Sequence, residues 1–286
     1  MFSKNFPEGI NNVNNNAFSE HNRLCCFNGS AFLQPANIPF SNNTSPYEYQ
    51  LLTKGSISWG MAWLDERTIL VLDWKGDMRV INNDILLNEK ITGLPKVFAE
   101  GQGGLLDVAV DPHYGQSNII YFSYCGLEGE GAYASVMRAV LQNFKLIEQT
   151  VIFKRVPNTR KGQHYGSRFA FDKKGYLYIS SGNRKNWGVN PRRLDRDAGI
   201  SHIIYSDGRI PENNPFVVQK DTNYSIYSCG HQNPQGMVRH LVKDGIWTHE
   251  HGSKGGEEIN IIQKGVIMVN QCSVIGSIIV VLFLLN

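Results

Sequence analysis

Three glycine-rich loops contain the side chains of this sequence that could do chemistry. They lie at residues 101–107, at residues 162–168, and at residues 229–236 together with 247–260. In the second loop, the imidazole of His164 could serve as a general base, because its ordinary pKa lies near neutrality and it can accept a proton from a hydroxyl group. A histidine directly before a strand is also often structural, so the pattern alone leaves both roles open.

The first and third loops suggest a bound ligand and a bound cation. The first reads GQGGLLD and places glycines directly before a strand, where the backbone can approach a ligand closely, although a tight structural turn would read the same. It lacks the spacing and the following helix of a dinucleotide-binding fingerprint. The third contains WTHEHG, which lacks the spacing of a zinc-binding helix. Its carboxylates and carbonyls suit Ca²⁺ better, with a solvated turn at Glu257 and Glu258 as the alternative.

Recurring hairpins must position these loops. An apolar strand, a turn containing Asp and often Gly, and an aromatic or β-branched strand occur in four stretches, which begin at Met61, Asp107, Arg168 and Met237. Repeats of short strands at such intervals predict an all-β fold of the β-propeller type, with a β-sandwich as the alternative. Because a propeller gathers loops from distant blades around one end of a central channel, we expect the three loops to meet there.

The composition supports a β-rich protein and excludes several functions. The sequence of 286 residues has 28 glycines, 12 tyrosines and only 19% charged residues, which fits many strands and turns. Its formal net charge of +3 argues against a dedicated nucleic-acid binder, so no nucleic acid is expected as a partner. None of the five cysteines forms a C-x-x-C pair, which excludes a thioredoxin-like site and a zinc ribbon; we interpret them as core residues.

Five strings in order along the chain identify a family resemblance. They read GQGGLLDVAVDP, QHYGSRFAFDKKGYLYIS, DGRIPENNPF, GHQNPQGM and WTHEHGSKGGEEIN, and the similarity spans about residues 56–264. This region resembles the soluble aldose sugar dehydrogenases that use pyrroloquinoline quinone (PQQ), the group of the glucose/sorbosone dehydrogenase domain. The resemblance implies a six-bladed β-propeller, exported to the periplasm, that oxidises the anomeric carbon of an aldose sugar to a lactone. It also implies an external electron acceptor and a Ca²⁺ ion that holds and polarises the quinone.

The resemblance also implies a role for individual residues. His164 corresponds to the catalytic base, which takes the proton of the C1 hydroxyl while hydride moves to the C5 carbonyl of the quinone. The other implied site residues are Gln102 and Gln163 for the substrate, Gln232, Asn233 and Gln235 for the cofactor, and Gly252, Ser253 and Glu257 for Ca²⁺.

Several of these positions depart from the family pattern. Gln232 replaces an arginine, which removes positive charge from beside the quinone oxygen that becomes negative on reduction. Ser253 replaces a proline, and Glu257 is one methylene longer than the usual Asp. We therefore expect weak or lost activity. The alternatives are a non-catalytic β-propeller binding module and a calcium-dependent propeller hydrolase such as a lactonase.

The two ends of the chain differ from the middle. Residues 1–45 hold eleven asparagines and are expected to form a poorly ordered arm, whereas residues 46–264 form the partial propeller domain. No apolar segment follows Lys4, so the sequence has no signal peptide; translated as given, the chain would be cytoplasmic, against the periplasm that the family implies.

Residues 265–286 are uncharged, and their apolar run is shorter than the roughly 20 residues of a membrane span and has no basic flank. Membrane association is thus not expected. We predict a frameshifted tail that leaves the propeller incomplete at the C-terminus, with a membrane anchor and a pair of core strands as the alternatives.

Overall fold

The structure is a computed structural model in which four sheets succeed one another along the chain. It describes residues 24–25, 49–50, 58–156, 158–160, 162–185, 191, 193–251 and 257–268. Most of the predicted arm (1–45) and most of the predicted tail (265–286) therefore lie outside the described residues. Near the N-terminus, β1 (Leu24–Cys25) pairs in parallel with β2 (Tyr49–Gln50).

Each of the four sheets is antiparallel, and its strands are hydrogen-bonded in chain order. The strands of blade 1 are β3 (Ser58–Trp63), β4 (Thr68–Asp73), β5 (Met78–Asn82) and β6 (Ile85–Lys90). Those of blade 2 are β7 (Leu105–Val110), β8 (Ile119–Glu128), β9 (Gly131–Gln142) and β10 (Lys145–Lys154), with the short helix α1 (Tyr114–Ser117) between β7 and β8. Those of blade 3 are β11 (Gly166–Phe171), β12 (Tyr176–Ser181), β13 (Ile200–Tyr205) and β14 (Ile226–Cys229). Those of blade 4 are β15 (Pro234–His240), β16 (Gly245–Glu250) and β17 (Glu258–Ile261).

The four recurring hairpins of the sequence are the first two strands of the four blades. Met61 lies in β3, Asp107 in β7, Arg168 in β11 and Met237 in β15. The prediction of a β-propeller is thus confirmed. The described residues contain four blades, and the six-bladed count expected for the family stays a prediction.

The hydrophobic core consists of separate layers between neighbouring blades. Leu72 of β4 packs in one cluster with Leu105 of β7 and Phe122 of β8, which joins blades 1 and 2. Equivalent clusters join blade 2 to blade 3 around Tyr121 and blade 3 to blade 4 around Tyr178. Because the middle strands of a blade are covered on both faces, their sequences are apolar runs rather than alternating ones.

The first strands of the blades meet along the central channel. The guanidinium of Arg168, at the start of β11, donates from Nη1 to the carbonyl of Trp59 in β3 at 3.1 Å and to Asp107 of β7 at 3.4 Å. The Asp107 carboxylate also accepts the backbone N–H of Phe169 at 3.2 Å. Burial raises the pKa of Asp107, and Arg168 opposes that rise. These contacts tie three blades together at the axis.

Two findings in the described part of the chain concern the cysteines and the helices. Cys125 and Cys229 are free and buried, as the interpretation as core residues predicts. Among the described residues, no helix has both the length and the apolar character needed to cross a membrane.

Candidate active site

The three loops singled out in the sequence converge at one end of the channel. Gln102 precedes β7, His164 precedes β11, and Asn233 precedes β15, so each loop enters the first strand of its blade from the same side. The backbone N–H of His164 donates to Oε1 of Gln102 at 2.7 Å, which joins blades 2 and 3. The N–H of Gly166 donates to Oδ1 of Asn233 at 3.2 Å, which joins blades 3 and 4. The expected meeting of the loops is therefore observed.

His164 is fixed in an unusual backbone conformation. Its φ is +55°, in the left-handed region that residues other than glycine rarely occupy. Gln102 stabilises this conformation twice, because its side chain accepts from the His164 N–H and its own N–H donates to Gly162 at 2.8 Å. A strained residue that its neighbours hold in place is typical of functional sites.

The imidazole of His164 is oriented by a residue that the sequence analysis did not identify. Nδ1 of His164 lies 2.6 Å from Oδ1 of Asn183, and the same oxygen accepts the backbone N–H of Lys185 at 2.8 Å. A backbone N–H can only donate, so the atom of Asn183 that faces His164 is the carbonyl oxygen. Nδ1 of His164 therefore carries the proton, and Nε2 is the nitrogen that can accept one.

The surroundings keep His164 neutral. Half-burial lowers its pKa below the ordinary value; the hydrogen bond to Asn183 opposes this, and the nearby Lys185 and Arg184 lower the pKa further. A neutral imidazole with its proton fixed on Nδ1 can serve as a base at neutral pH through Nε2.

Asn183 could have been found from the hairpin register. The pairing of Gly166 with Ser181 places the residues after β12 opposite the loop before β11, where His164 lies. The sequence predicts both strands, but a single Asn after a strand does not by itself show which residue it contacts.

The structure gives the two predicted substrate residues different surroundings. The amide oxygen of Gln102 is occupied by the His164 backbone, so its observed contact is one of support for the base. The side chain of Gln163 is exposed beside His164. A contact of either residue with substrate stays a prediction.

The loop that contains Gln232 and Asn233 is anchored by a buried glutamate. Glu250, 3% exposed, accepts from Nδ1 of His231 at 3.0 Å, from the backbone N–H groups of Gln232 and Asn233, and from the Asn260 amide at 2.8 Å. Burial alone would raise the pKa of this carboxyl, but His231 and the other donors lower it. In the WTHEHG stretch, then, the glutamate supports a loop.

The predicted cofactor residues lie on this anchored loop. Gln232 and Asn233 are buried and Gln235 is half-buried. The backbone N–H of Asn183 donates to the Gln232 carbonyl at 2.6 Å, which connects the loop to the His164 partner. Within the described part of the chain, Oε1 of Gln232 and Nδ2 of Asn183 are buried and have no hydrogen-bond partner. Buried polar atoms usually have one, so Nδ2 of Asn183, on the side chain that contacts His164, is a donor that a bound group could satisfy.

The predicted calcium residues are only partly covered by the structure. Gly252 and Ser253 lie outside the described residues. The carboxylate of Glu257 lies 3.3 Å from Nδ1 of His251, in an exposed pair at the end of β16. In the described ranges, no three His, Cys, Asp or Glu side chains are grouped so that they could hold a metal ion. Calcium ligation by these residues stays a prediction.

A second histidine, His249, lies in β16 of blade 4. Burial lowers the pKa of His249 to about 4, with Arg168 and His251 as further causes and Glu257 and Glu250 opposing them. His249 is consequently neutral at neutral pH.

Comparisons with known proteins identify the family. The model of the family described as Glucose / Sorbosone dehydrogenase matches residues 56–267. The chain is 35% identical over 246 residues to the aldose sugar dehydrogenase YliI of Escherichia coli (strain K12), which covers 85% of this chain and 64% of that protein. It is also 35% identical over 224 residues to the uncharacterized protein slr1608 of a Synechocystis species, covering 72% of this chain and 54% of the relative. The chain thus spans less than two thirds of the length of these curated relatives.

Solved structures show the same architecture. The apo form of the soluble aldose sugar dehydrogenase of Escherichia coli superimposes with a TM-score of 0.70 at 34% identity, covering 73% of this chain and 61% of that one. The PQQ-bound aldose sugar dehydrogenase of Streptomyces coelicolor superimposes with a TM-score of 0.64 at 23% identity, covering 73% and 60%, and supports the fold. Because the family model covers well over half of the sequence, the chain belongs to the glucose/sorbosone dehydrogenase family.

Proposed function

We propose that this chain contains the residues that act on the substrate in a PQQ-dependent aldose dehydrogenase. Such an enzyme oxidises the anomeric carbon of an aldose sugar to a lactone and passes the electrons to an external acceptor. The observation that carries the proposal is the hydrogen bond between His164 and Asn183 at the junction of three blades. Membership of the sugar dehydrogenase family gives the reaction class. The sugar and the acceptor are proposals from the family alone, as is the periplasm as the place of action.

In the proposed mechanism, His164 removes a proton from the sugar. Asn183 keeps the proton of the imidazole on Nδ1, so Nε2 receives the proton of the C1 hydroxyl. Removal of that proton leaves negative charge on the oxygen, which makes C1 a better hydride donor. PQQ, when bound, supplies the two-electron acceptor for that hydride. Gln102 holds His164 in position through its backbone N–H.

The residues around His164 fit a quinone with carboxylate and carbonyl oxygens. The buried Nδ2 of Asn183 is a donor without a partner among the described residues, and such oxygens accept from a donor of this kind. We assign Gln232, Asn233 and Gln235 to the cofactor. Gly252, Ser253 and Glu257 are the proposed Ca²⁺ residues, with backbone carbonyls and a carboxylate as the oxygen ligands that calcium prefers.

The described residues favour no second function. A calcium-dependent hydrolase is not favoured, because the family that the chain belongs to is one of dehydrogenases. A binding module without catalysis would not explain a histidine whose tautomer is fixed and whose backbone is strained.

Reconstitution of the purified chain with PQQ and Ca²⁺ tests the proposal. We expect weak aldose-dependent reduction of an electron-accepting dye, in keeping with the departures from the family pattern, and a further fall of about 10²-fold or more in turnover in the His164→Ala variant. Calcium binding, measured by calorimetry, should be the same in both proteins. Aldose-dependent turnover that is equal in the variant would refute the assignment of the base, and absence of turnover with every aldose tried would refute the function.

A further inference from the structure

A buried arginine lies behind the proposed base, outside the residues discussed so far. Arg155 directly follows β10, the last strand of blade 2, and its side chain is 3% exposed. Its backbone N–H donates to Ala134 of β9 at 2.9 Å, so its position is fixed by the sheet of blade 2. Burying a guanidinium is unfavourable unless its donors are satisfied, which makes its partners informative.

The guanidinium of Arg155 binds three backbone carbonyls from three separate segments. Nε donates to Asp197 at 3.0 Å, Nη1 donates to Tyr165 at 3.2 Å, and Nη2 donates to Gly182. Tyr165 is the residue after His164, and Gly182 is the residue before Asn183. One side chain of blade 2 therefore holds the base and its hydrogen-bond partner, each one residue away.

The positive charge of Arg155 is balanced by the nearby Asp197 and not by His164. Burial and the nearby Arg184 lower the pKa of Arg155 to about 9, which leaves it protonated at neutral pH, and Asp197 acts in the opposite direction. Burial raises the pKa of Asp197 to about 6, and its carboxylate accepts the N–H of Val156 at 2.7 Å. The charged neighbours with the largest effects on the pKa of His164 include Lys185 and Arg184 but not Arg155. The contacts of Arg155 with the Tyr165 and Gly182 carbonyls instead fix the positions of the neighbouring residues.

We infer that Arg155 is a positioning residue for the His164–Asn183 pair. It acts by fixing the carbonyls of Tyr165 and Gly182 with one planar group, so that the imidazole and the amide stay within hydrogen-bonding distance. A lysine has the same charge but a single nitrogen, and it cannot span three carbonyls that a guanidinium fork reaches. The catalytic consequence rests on the function proposed above, whereas the effect on His164 does not.

The test compares Arg155→Lys and Arg155→Met with the wild-type chain by nitrogen-15 NMR of the histidine side chains. The signal of His164 is assigned by its loss in the His164→Ala variant. In the wild type we expect one tautomer, protonated on Nδ1, with a pKa below the ordinary value. In both variants we expect a mixture of the two neutral tautomers, because Asn183 no longer holds the proton on Nδ1. Retention of the single tautomer in both variants would overturn the inference.

Arg79→Met is the matched control. Arg79 is partly buried in blade 1 and donates from Nη2 to the backbone carbonyl of Leu87, so the variant loses the same kind of bond far from His164. We expect it to leave the His164 spectrum unchanged. If Arg155→Met does not fold, as judged by circular dichroism, Arg155→Lys decides the question, because it keeps the charge and most of the volume.

Turnover of the reconstituted protein is a second test of the inference. In Arg155→Lys we expect kcat to fall at least about tenfold with little change in KM, because a displaced base affects the chemical step more than sugar binding. A wild-type chain without turnover but with the expected NMR changes would refute the function and leave the inference in place. An active wild type whose kcat and His164 spectrum are unaffected by Arg155→Lys would refute the inference alone.

Discussion

Replacement of Glu250 by glutamine tests whether the Gln232–Asn233 loop depends on a buried carboxylate. The two oxygens of Glu250 accept four hydrogen bonds, from His231, from two backbone N–H groups and from Asn260. A glutamine has one acceptor oxygen, so its NH₂ group must face two of these donors in either orientation.

The expected loss of stability follows from the number of bonds. A hydrogen bond to a charged group contributes about 1.5–3 kcal/mol, so the loss of two predicts about 3–6 kcal/mol in the free energy of unfolding. His231 can change tautomer and accept from the new NH₂ group. The expected loss in the free energy of unfolding is therefore near the lower end of this range. Since whole domains are stable by only about 5–15 kcal/mol, this is a large fraction.

Urea denaturation followed by tryptophan fluorescence measures the effect. Glu258→Gln is the matched control, because Glu258 lies opposite Glu250 on β17, bonds the same Asn260 at 3.1 Å and is half-buried. We expect less than about 1 kcal/mol from the control. A loss below about 1 kcal/mol in Glu250→Gln would show that the loop is held by something other than the carboxylate.

The pH dependence gives the same prediction a second check. The folded protein lowers the pKa of Glu250 below its ordinary value of 4.5. The stabilisation is therefore complete above that value and is lost as the pH falls through the lower, folded pKa. The difference between wild type and Glu250→Gln should be constant near neutral pH and should shrink below about pH 4.5. A difference that does not change with pH would contradict the assignment.

Three further predictions concern the site itself. Asn183→Asp places a carboxylate beside Nδ1 of His164 and should raise the pKa of the imidazole, so the acidic limb of kcat/KM should move up by about one pH unit or more; an unmoved limb would exclude His164 as the titrating base. Gln232→Arg should increase PQQ affinity or activity, measured by titration of the cofactor, since it adds a cation beside a quinone oxygen; no gain would locate the lost function elsewhere. Gly182→Ala should destabilise the fold by about 1–3 kcal/mol and lower activity, because the new Cβ would lie 2.3 Å from the His164 carbonyl; Gly115→Ala, with open space around it, is the control in thermal unfolding.

The fold could be predicted from local signals to the extent that the blades are built from hairpins. The stretches at Met61, Asp107, Arg168 and Met237 repeat an apolar strand, a turn with Asp and an aromatic or β-branched strand, and each lies at the start of a blade. The meeting of the three loops followed from the arrangement of successive blades around one channel. The number of blades is a property of the whole assembly, and the sequence pattern of single hairpins does not contain it.

The contacts within the site were much less predictable. His164 and Gln102 stood out by their glycine-rich surroundings, but their mutual hydrogen bond joins residues 62 positions apart. Glu250 looked like a cation ligand because burial is not visible in a run of polar residues. Asn183 carries no signal of its partner in the sequence, although the hairpin register places it opposite the loop of His164. Arg155 bonds backbone carbonyls, which any sequence can provide, so only the tertiary fold assigns its role.

The hydrogen bonds at His164 cross two seams between blades, and this has a consequence for heat inactivation. Gln102 reaches His164 from blade 2, and Asn233 reaches Gly166 from blade 4, so a small parting of either seam breaks the site while every sheet stays intact. The site should therefore fail at a lower temperature than the secondary structure melts. A ligand that contacts more than one blade would stabilise the contacts across these seams. As its concentration rises, the temperature at which the site fails would approach the temperature at which the secondary structure melts.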